Sequence, residues 1–171
     1  MGLILLRHTT PLIETGVCYG QLDLDIAESF TEEADETAKM LPPFEQIFSS
    51  PLKRCRYLAE YIGERTGHSV RYDCRLSEMD FGSWEGRPWS DIPRLEIDLW
   101  AKDFLHARAH GGESVNMLRQ RTLEVVGELK DIKQQTLVVT HAGVIRAVLS
   151  TGDTADHFRT DIGFGKFIVI E

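Results

Sequence analysis

At 171 residues, 42% hydrophobic and 27% charged, the chain has the makeup of a soluble globular protein large enough for one domain. A chain of this length buries roughly 70% of its unfolded surface. Its 19 Lys and Arg against 27 Asp and Glu leave a net charge of −8, which argues against nucleic acid or anionic membranes as general partners. An anionic substrate therefore needs a local basic pocket.

The first apolar run, Gly2-Leu3-Ile4-Leu5-Leu6, is too short for a secretory core or a membrane span. Leu6 also stands where a myristoylation signal needs Ser or Thr. Cys18, Cys55 and Cys74 form no CxxC pair, and their odd number suggests no disulfide framework, so the expected location is cytoplasmic. Residues 2–6 read instead as a strand buried on both faces, running into Arg7-His8. Ser29 with Glu32 resembles a capping box for a helix whose face is Ala34, Ala38 and Leu41, closed by Pro42-Pro43. Residues 45–49 read as a second strand. After Ser49-Ser50-Pro51, the stripe Leu52, Cys55, Leu58, Ala59 and Ile62 predicts a helix ending near Gly67, then a strand at 69–73.

Residues 84–112 hold all three tryptophans (Trp84, Trp89, Trp100) and no clear strand. They read either as a helical lid over the sheet edge or as a packed surface helix pair. Gly111-Gly112 reads as a turn into a helix capped by Ser114, with the stripe Val115, Leu118, Thr122, Val125, Leu129 and Ile132. The strand 136–140 runs into His141-Ala142-Gly143 and a helix through Val144, Ala147 and Val148, and residues 166–170 make a last strand. Strand alternating with helix predicts an α/β fold: a three-layer α/β/α sandwich with a mostly parallel central sheet. No linker or repeat divides it, so residues 1–171 read as a single domain.

In such sheets ligands bind beyond the carboxyl ends of the strands, where His8 and His141 are both expected. Arg54, at the start of a helix, joins them, and backbone N–H groups there also favour anions. Glu78 is the candidate acid. A lone Arg-His pair or a lone histidine is more often structural; their convergence at one edge is what points to chemistry. A phosphomonoester develops charge on its oxygens during transfer, and arginine forks hold those oxygens in pairs. A neutral imidazole can attack phosphorus, a second one, protonated, can neutralise the phosphoryl oxygens, and a carboxyl can protonate the leaving oxygen. None of these roles needs a metal or other cofactor.

Five segments in order carry a resemblance: Leu-Leu-Arg-His-Thr, Ser-Ser-Pro-Leu-Lys-Arg, Glu-Met-Asp-Phe-Gly-Ser-Trp-Glu-Gly, Gly-Gly-Glu-Ser and Val-Val-Thr-His-Ala-Gly-Val-Ile-Arg. Together they resemble the histidine phosphatase (phosphoglycerate-mutase-like) superfamily over essentially the whole chain. The resemblance implies a phosphohistidine intermediate, with His8 as nucleophile, Arg7, Arg54 and His141 holding phosphate, Glu78 donating the proton and the Ala142 N–H assisting. Arg7-His8-Thr9-Thr10-Pro11, Gly16 through Asp23, Trp84 through Trp89 with Ile92-Pro93, and Leu99-Trp100 resemble the alpha-ribazole phosphatase branch. That branch removes the 5′-phosphate of the alpha-ribazole nucleotide in assembling the cobalamin lower ligand. It implies Tyr19, Gln21 and the tryptophan-rich segment as nucleoside contacts, with aromatic stacking on the flat base.

The chain departs from the family pattern at Thr9, where Gly is usual, and at Glu14, where Asn is usual. Glu14 would repel phosphate, so Thr10 or Gln21 is expected to compensate. Asp80 follows the proton donor's neighbourhood where mutases carry an arginine for a substrate carboxylate, which makes phosphoglycerate mutase the weaker reading. His106 and His110 have metal-ligand spacing but no third ligand, and Arg108 between them repels a cation. Three readings remain open: a phosphatase of alpha-ribazole 5′-phosphate or a phosphorylated cobalamin precursor, a broad-specificity sugar-phosphate or phosphoprotein phosphatase, and a non-catalytic phosphate-binding module.

Overall fold

The computed structural model describes residues 2–171. Five strands form one sheet: β1 (Leu3–Arg7), β2 (Gln46–Ser49), β3 (Val70–Tyr72), β4 (Thr136–Thr140) and β5 (Phe167–Ile170). Their order is β3-β2-β4-β1-β5, parallel except for β5, which runs antiparallel along β1. The helices are α1 (Phe30–Met40), α2 (Lys53–Thr66), α3 (Arg94–Lys102), α4 (Val115–Asp131) and α5 (Ala142–Leu149).

The alternation of side chains along a strand divides the core in two. Leu3, Leu5 and Val138 face α4 and α5, meeting Val125, Leu129 and Ile145. Ile4, Leu6, Leu137 and Val139 face α1 and α2, meeting Ala34, Cys55, Leu58 and Ile62. The sandwich thus has helices on both sides, as the buried strands require. Each Leu or Ile fully buried this way contributes about 1.5–3 kcal/mol relative to exposure.

The helix boundaries follow their terminal chemistry, with two exceptions. Gly67 ends α2 in a left-handed conformation at φ 74°. Ser114 caps α4, its hydroxyl accepting from the Met117 N–H at 3.1 Å. The expected capping box at Ser29 is not formed, because Ser29 already has helical backbone (φ −71°, ψ −2°) and its hydroxyl cannot swing over the first amides. It donates to Glu33 Oε1 at 2.6 Å instead, and Glu32 plays no part. The second exception is Ile132, which lies just past α4 and is exposed, so the apolar stripe ends at Leu129.

Residues 82–112 hold two short 3₁₀ turns and α3 packed around Trp84, which is fully buried against Trp100 and His110. No helix among the described residues is long and apolar enough to cross a membrane.

Candidate active site

Register brings the two histidines together. β1 and β4 are paired in parallel with Arg7 opposite Thr140, so both strands end at the same level. His8 continues the ladder, its N–H donating to the Thr140 carbonyl at 3.0 Å. His141 follows on the neighbouring strand, and the ring centroids lie 5.2 Å apart, edge to face. Ser50, past the end of β2, donates its N–H to the Val139 carbonyl, and its hydroxyl meets His141 Nε2 at 2.9 Å.

Both imidazoles are buried, and burial is the main force holding their pKa well below the ordinary histidine value. The Arg54 guanidinium is the next cause for each, and Arg7 adds to it. For His8, a bond between Nδ1 and the Thr9 carbonyl at 2.7 Å pulls the other way without overcoming burial. Since a carbonyl can only accept, Nδ1 carries the proton of the neutral ring and Nε2 keeps its lone pair. A neutral imidazole held in one tautomer is the form in which histidine is a nucleophile.

Arg7 donates from Nη1 to the Ile162 carbonyl at 2.6 Å, and its guanidinium lies 3.9 Å from the centre of the Phe164 ring. Arg54 is fully buried in the first turn of α2 and donates to the carbonyls of Gly20 (2.5 Å) and Leu22 (2.8 Å). Among the described residues, Arg7 Nε and Arg54 Nε are buried donors with no partner. Buried unpaired donors on charged groups are costly, and an anion beside them would remove that cost.

Glu78 is half-buried across the mouth of the same edge. Its Oε1 accepts from the Met79 N–H at 2.9 Å and its Oε2 from the Gly143 N–H, at the start of α5, at 3.0 Å. A Cβ on Gly143 would collide with this carboxylate, so only glycine lets the helix and the acid approach so closely.

A cavity of about 410 Å³ opens over His8. Arg7, Glu78 and Ala142 line its polar end, while Phe81, Trp89, Trp100, Phe104 and Phe158 make an aromatic wall. Tyr19 also lines it, with Arg54 5.3 Å from its ring centre. Neither residue expected to compensate for Glu14 reaches this cavity. Thr10 gives its N–H to Glu33 Oε2 at 2.9 Å, and Gln21 is exposed with its amide donating to the Glu78 carbonyl at 3.2 Å. Glu14 itself is exposed. The two metal-spaced histidines share no helix: α3 stops at Lys102, and His110 is buried against the Trp84 ring, 4.8 Å between centroids.

Compared with known proteins, residues 3–161 match the histidine phosphatase superfamily (branch 1). The chain belongs to that superfamily. This histidine phosphatase is 32% identical over 167 residues to a glucosyl-3-phosphoglycerate phosphatase of Mycolicibacterium vanbaalenii, covering 85% of this chain and 71% of the other. It is 27% identical over 157 residues to a metal-independent phosphoserine phosphatase of Arabidopsis thaliana, covering 85% and 66%. A mycobacterial glucosyl-3-phosphoglycerate phosphatase solved with VO3 superposes with a TM-score of 0.86 at 28% identity, over 99% of this chain and 90% of that one. It is accordingly a phosphatase, hydrolysing phosphate esters.

Several residues of this histidine phosphatase's site carry no clear signal in the sequence. Arg146 and Arg159 line the cavity, and Phe164 stacks on Arg7 and lies 5.6 Å from the His8 ring. Arg146 stands inside the His-Ala-Gly-Val-Ile-Arg motif one helical turn past Ala142, a spacing that could have flagged it. Phe164 and Arg159 sit in irregular segments with no periodic pattern.

Proposed function

We propose that this histidine phosphatase hydrolyses alpha-ribazole 5′-phosphate, or a phosphorylated cobalamin precursor carrying the same base, through a phosphohistidine on His8. The observation that carries the chemistry is the His8 tautomer: a buried neutral ring whose Nδ1 is tied to the Thr9 carbonyl and whose Nε2 is free to attack. Nε2 forms the bond to phosphorus as the bond to the leaving oxygen breaks, and Glu78 delivers its proton to that oxygen. Water then attacks the phosphohistidine, Glu78 takes back a proton, and inorganic phosphate leaves with His8 restored. Arg7, Arg54 and His141 hold the phosphoryl oxygens. A dianion bound beside the two imidazoles opposes the effect of burial and favours a proton on His141, which then adds a positive charge as the transition state forms. No step draws on a metal ion or a cofactor.

The substrate class rests on the aromatic wall and on the sequence segments shared with the alpha-ribazole phosphatase branch. Trp89 and Trp100 stand where a flat base can pack edge-to-face or stacked, and the Trp100 indole N–H is buried with no partner among the described residues. A second reading is favoured by Arg146 and Arg159 at the same cavity: a phosphate ester whose leaving group is itself anionic, such as a phosphoglycerate or phosphoserine derivative. A panel of alpha-ribazole 5′-phosphate, glucosyl-3-phosphoglycerate and phosphoserine, each with excess EDTA, separates the two by kcat/KM. Preference for the ribazole with EDTA present supports the first reading, and preference for an anionic leaving group replaces it. Acid-labile phosphate trapped on the protein, absent in His8→Ala, tests the intermediate independently.

A further inference from the structure

The Gly-Gly-Glu-Ser segment touches none of the reacting groups, yet its Glu113 is the anchor of a hydrogen-bond clamp that ends at the proton donor. Arg121, two turns into α4, gives Nε to Glu113 Oε1 at 2.6 Å and Nη2 to Glu113 Oε2 at 2.9 Å, a two-pronged pairing. The remaining guanidinium hydrogens go to backbone. Nη1 donates to the carbonyls of Arg75 (2.6 Å) and Ser77 (2.7 Å), and Nη2 to that of Glu78 (3.1 Å). The carbonyl between them, Leu76, accepts from the Thr140 hydroxyl at 2.7 Å. Both clamp side chains are largely buried, Arg121 19% and Glu113 12% exposed.

We propose that Arg121, gripped by Glu113, is a positioning residue that sets where the Glu78 carboxyl stands relative to the leaving oxygen. The segment 75–78 belongs to no strand and to no helix beyond a single 3₁₀ turn, whose backbone bonds from Leu76 to Asp73 and from Ser77 to Cys74 stop short of Glu78. The planar guanidinium supplies rigidity there, tying α4 to three carbonyls at once, and lysine, a point charge on a flexible stem, cannot. Glu113 is in turn fixed to the acid's own loop: its N–H donates to the Asp80 carbonyl at 2.8 Å, and Gly112 packs too closely on that carbonyl to carry a Cβ. The clamp therefore closes on both sides of Glu78.

This inference rests on Glu78 being the proton donor, and the test separates the two. Measure kcat/KM, which reports phosphoenzyme formation, for p-nitrophenyl phosphate and benzyl phosphate. The first leaves as a stabilised phenolate with little need of a proton, the second as an alkoxide that needs one. Arg121→Lys keeps the charge near His141, and Glu113→Gln removes the grip from the other end. Both are expected to slow benzyl phosphate by roughly 30-fold, part of the effect of a general acid, and p-nitrophenyl phosphate by under about fivefold. The inhibition constant for inorganic phosphate should stay within about threefold of the parent enzyme, the phosphate contacts being intact. Glu78→Gln should show the same bias more strongly, and adding Arg121→Lys to it should cost little more, since both act through one carboxyl. Equal losses on both esters in both variants would overturn the positioning role. A Glu78→Gln enzyme with no leaving-group bias would instead sink the proton-donor reading beneath it.

Discussion

The two ends of the cavity are built differently. Its floor is His8, which directly continues β1 and is backed by the buried Ser50 and His141 past the ends of β2 and β4, with backbone bonds from β4 holding His8 and Ser50 in place. Its wall is made from the excursion 82–112 with the adjoining Phe81, the start of α4 and Phe158 in the turn that follows α5, with Trp89 exposed and Trp100 half-buried. Strand ends inside a buried parallel ladder have almost no freedom to drift, which suits a step needing reacting atoms aligned to within an ångström. Short turns and a three-turn helix around a few aromatic rings can be altered without disturbing that ladder. Under the proposed function the chemistry is housed in the rigid region and selection among leaving groups in the adaptable one.

Substitutions sharpen this contrast, the largest first. His8→Ala removes the proposed nucleophile and should lower kcat by more than about 10⁴-fold on every ester, as loss of a covalent nucleophile does elsewhere. A smaller loss, or one confined to some esters, would break the idea of a common floor. Gly143→Ala should cost around 100-fold, because the added methyl displaces the Glu78 carboxylate, and a misplacement of about 1 Å is worth that much. Its signature is a fall in kcat on alkyl phosphates with little change in inorganic phosphate binding. Trp100→Ala, in the wall, should lower kcat/KM for aromatic esters by about tenfold while leaving small alkyl phosphates nearly untouched, matching one lost aromatic contact. Uniform losses across both kinds of ester would show that the wall, too, supports the chemistry.

The smallest effect is on stability and belongs to the floor alone. His8 and His141 have folded pKa values well below 6.5, so between that folded value and 6.5 the unfolded chain binds protons that the native state refuses. Stability is therefore complete above about pH 6.5 and declines as pH falls through the unfolded value, at up to about 1.4 kcal/mol per pH unit for each ring. Urea midpoints between pH 7 and pH 5 check this, and His141→Gln should make the decline shallower. An unchanged slope would mean the ring is not held neutral.

Much of the fold is legible from local pattern. The runs 2–6 and 136–140 are so apolar that only a doubly covered strand suits them, and strands of that kind deliver their next residues, His8 and His141, to a sheet's carboxyl edge. Ser114 and Gly67 end their helices through short-range chemistry visible in the residues themselves. The Ser29 box does not form because capping depends on the backbone angle of one residue, and that of Ser29 is already helical, its hydroxyl bonded to Glu33 instead. Thr10 and Gln21 are expected to compensate for Glu14, with Gln21 also a substrate contact by the branch resemblance, yet each is drawn off to another partner.

What the amino-acid order establishes on its own is therefore the set of elements, the sheet's buried character and the chemical types gathered at its edge. Those arise from hydrophobic periodicity and turn chemistry, which act over a few residues. Folding in three dimensions added the parallel register that brings His8 to His141, the glycine gap that admits Glu78 to α5, the clamp from Arg121, and the aromatic wall. Each is a contact between segments tens of residues apart, and its energy depends on distances and desolvation that no short stretch of chain contains.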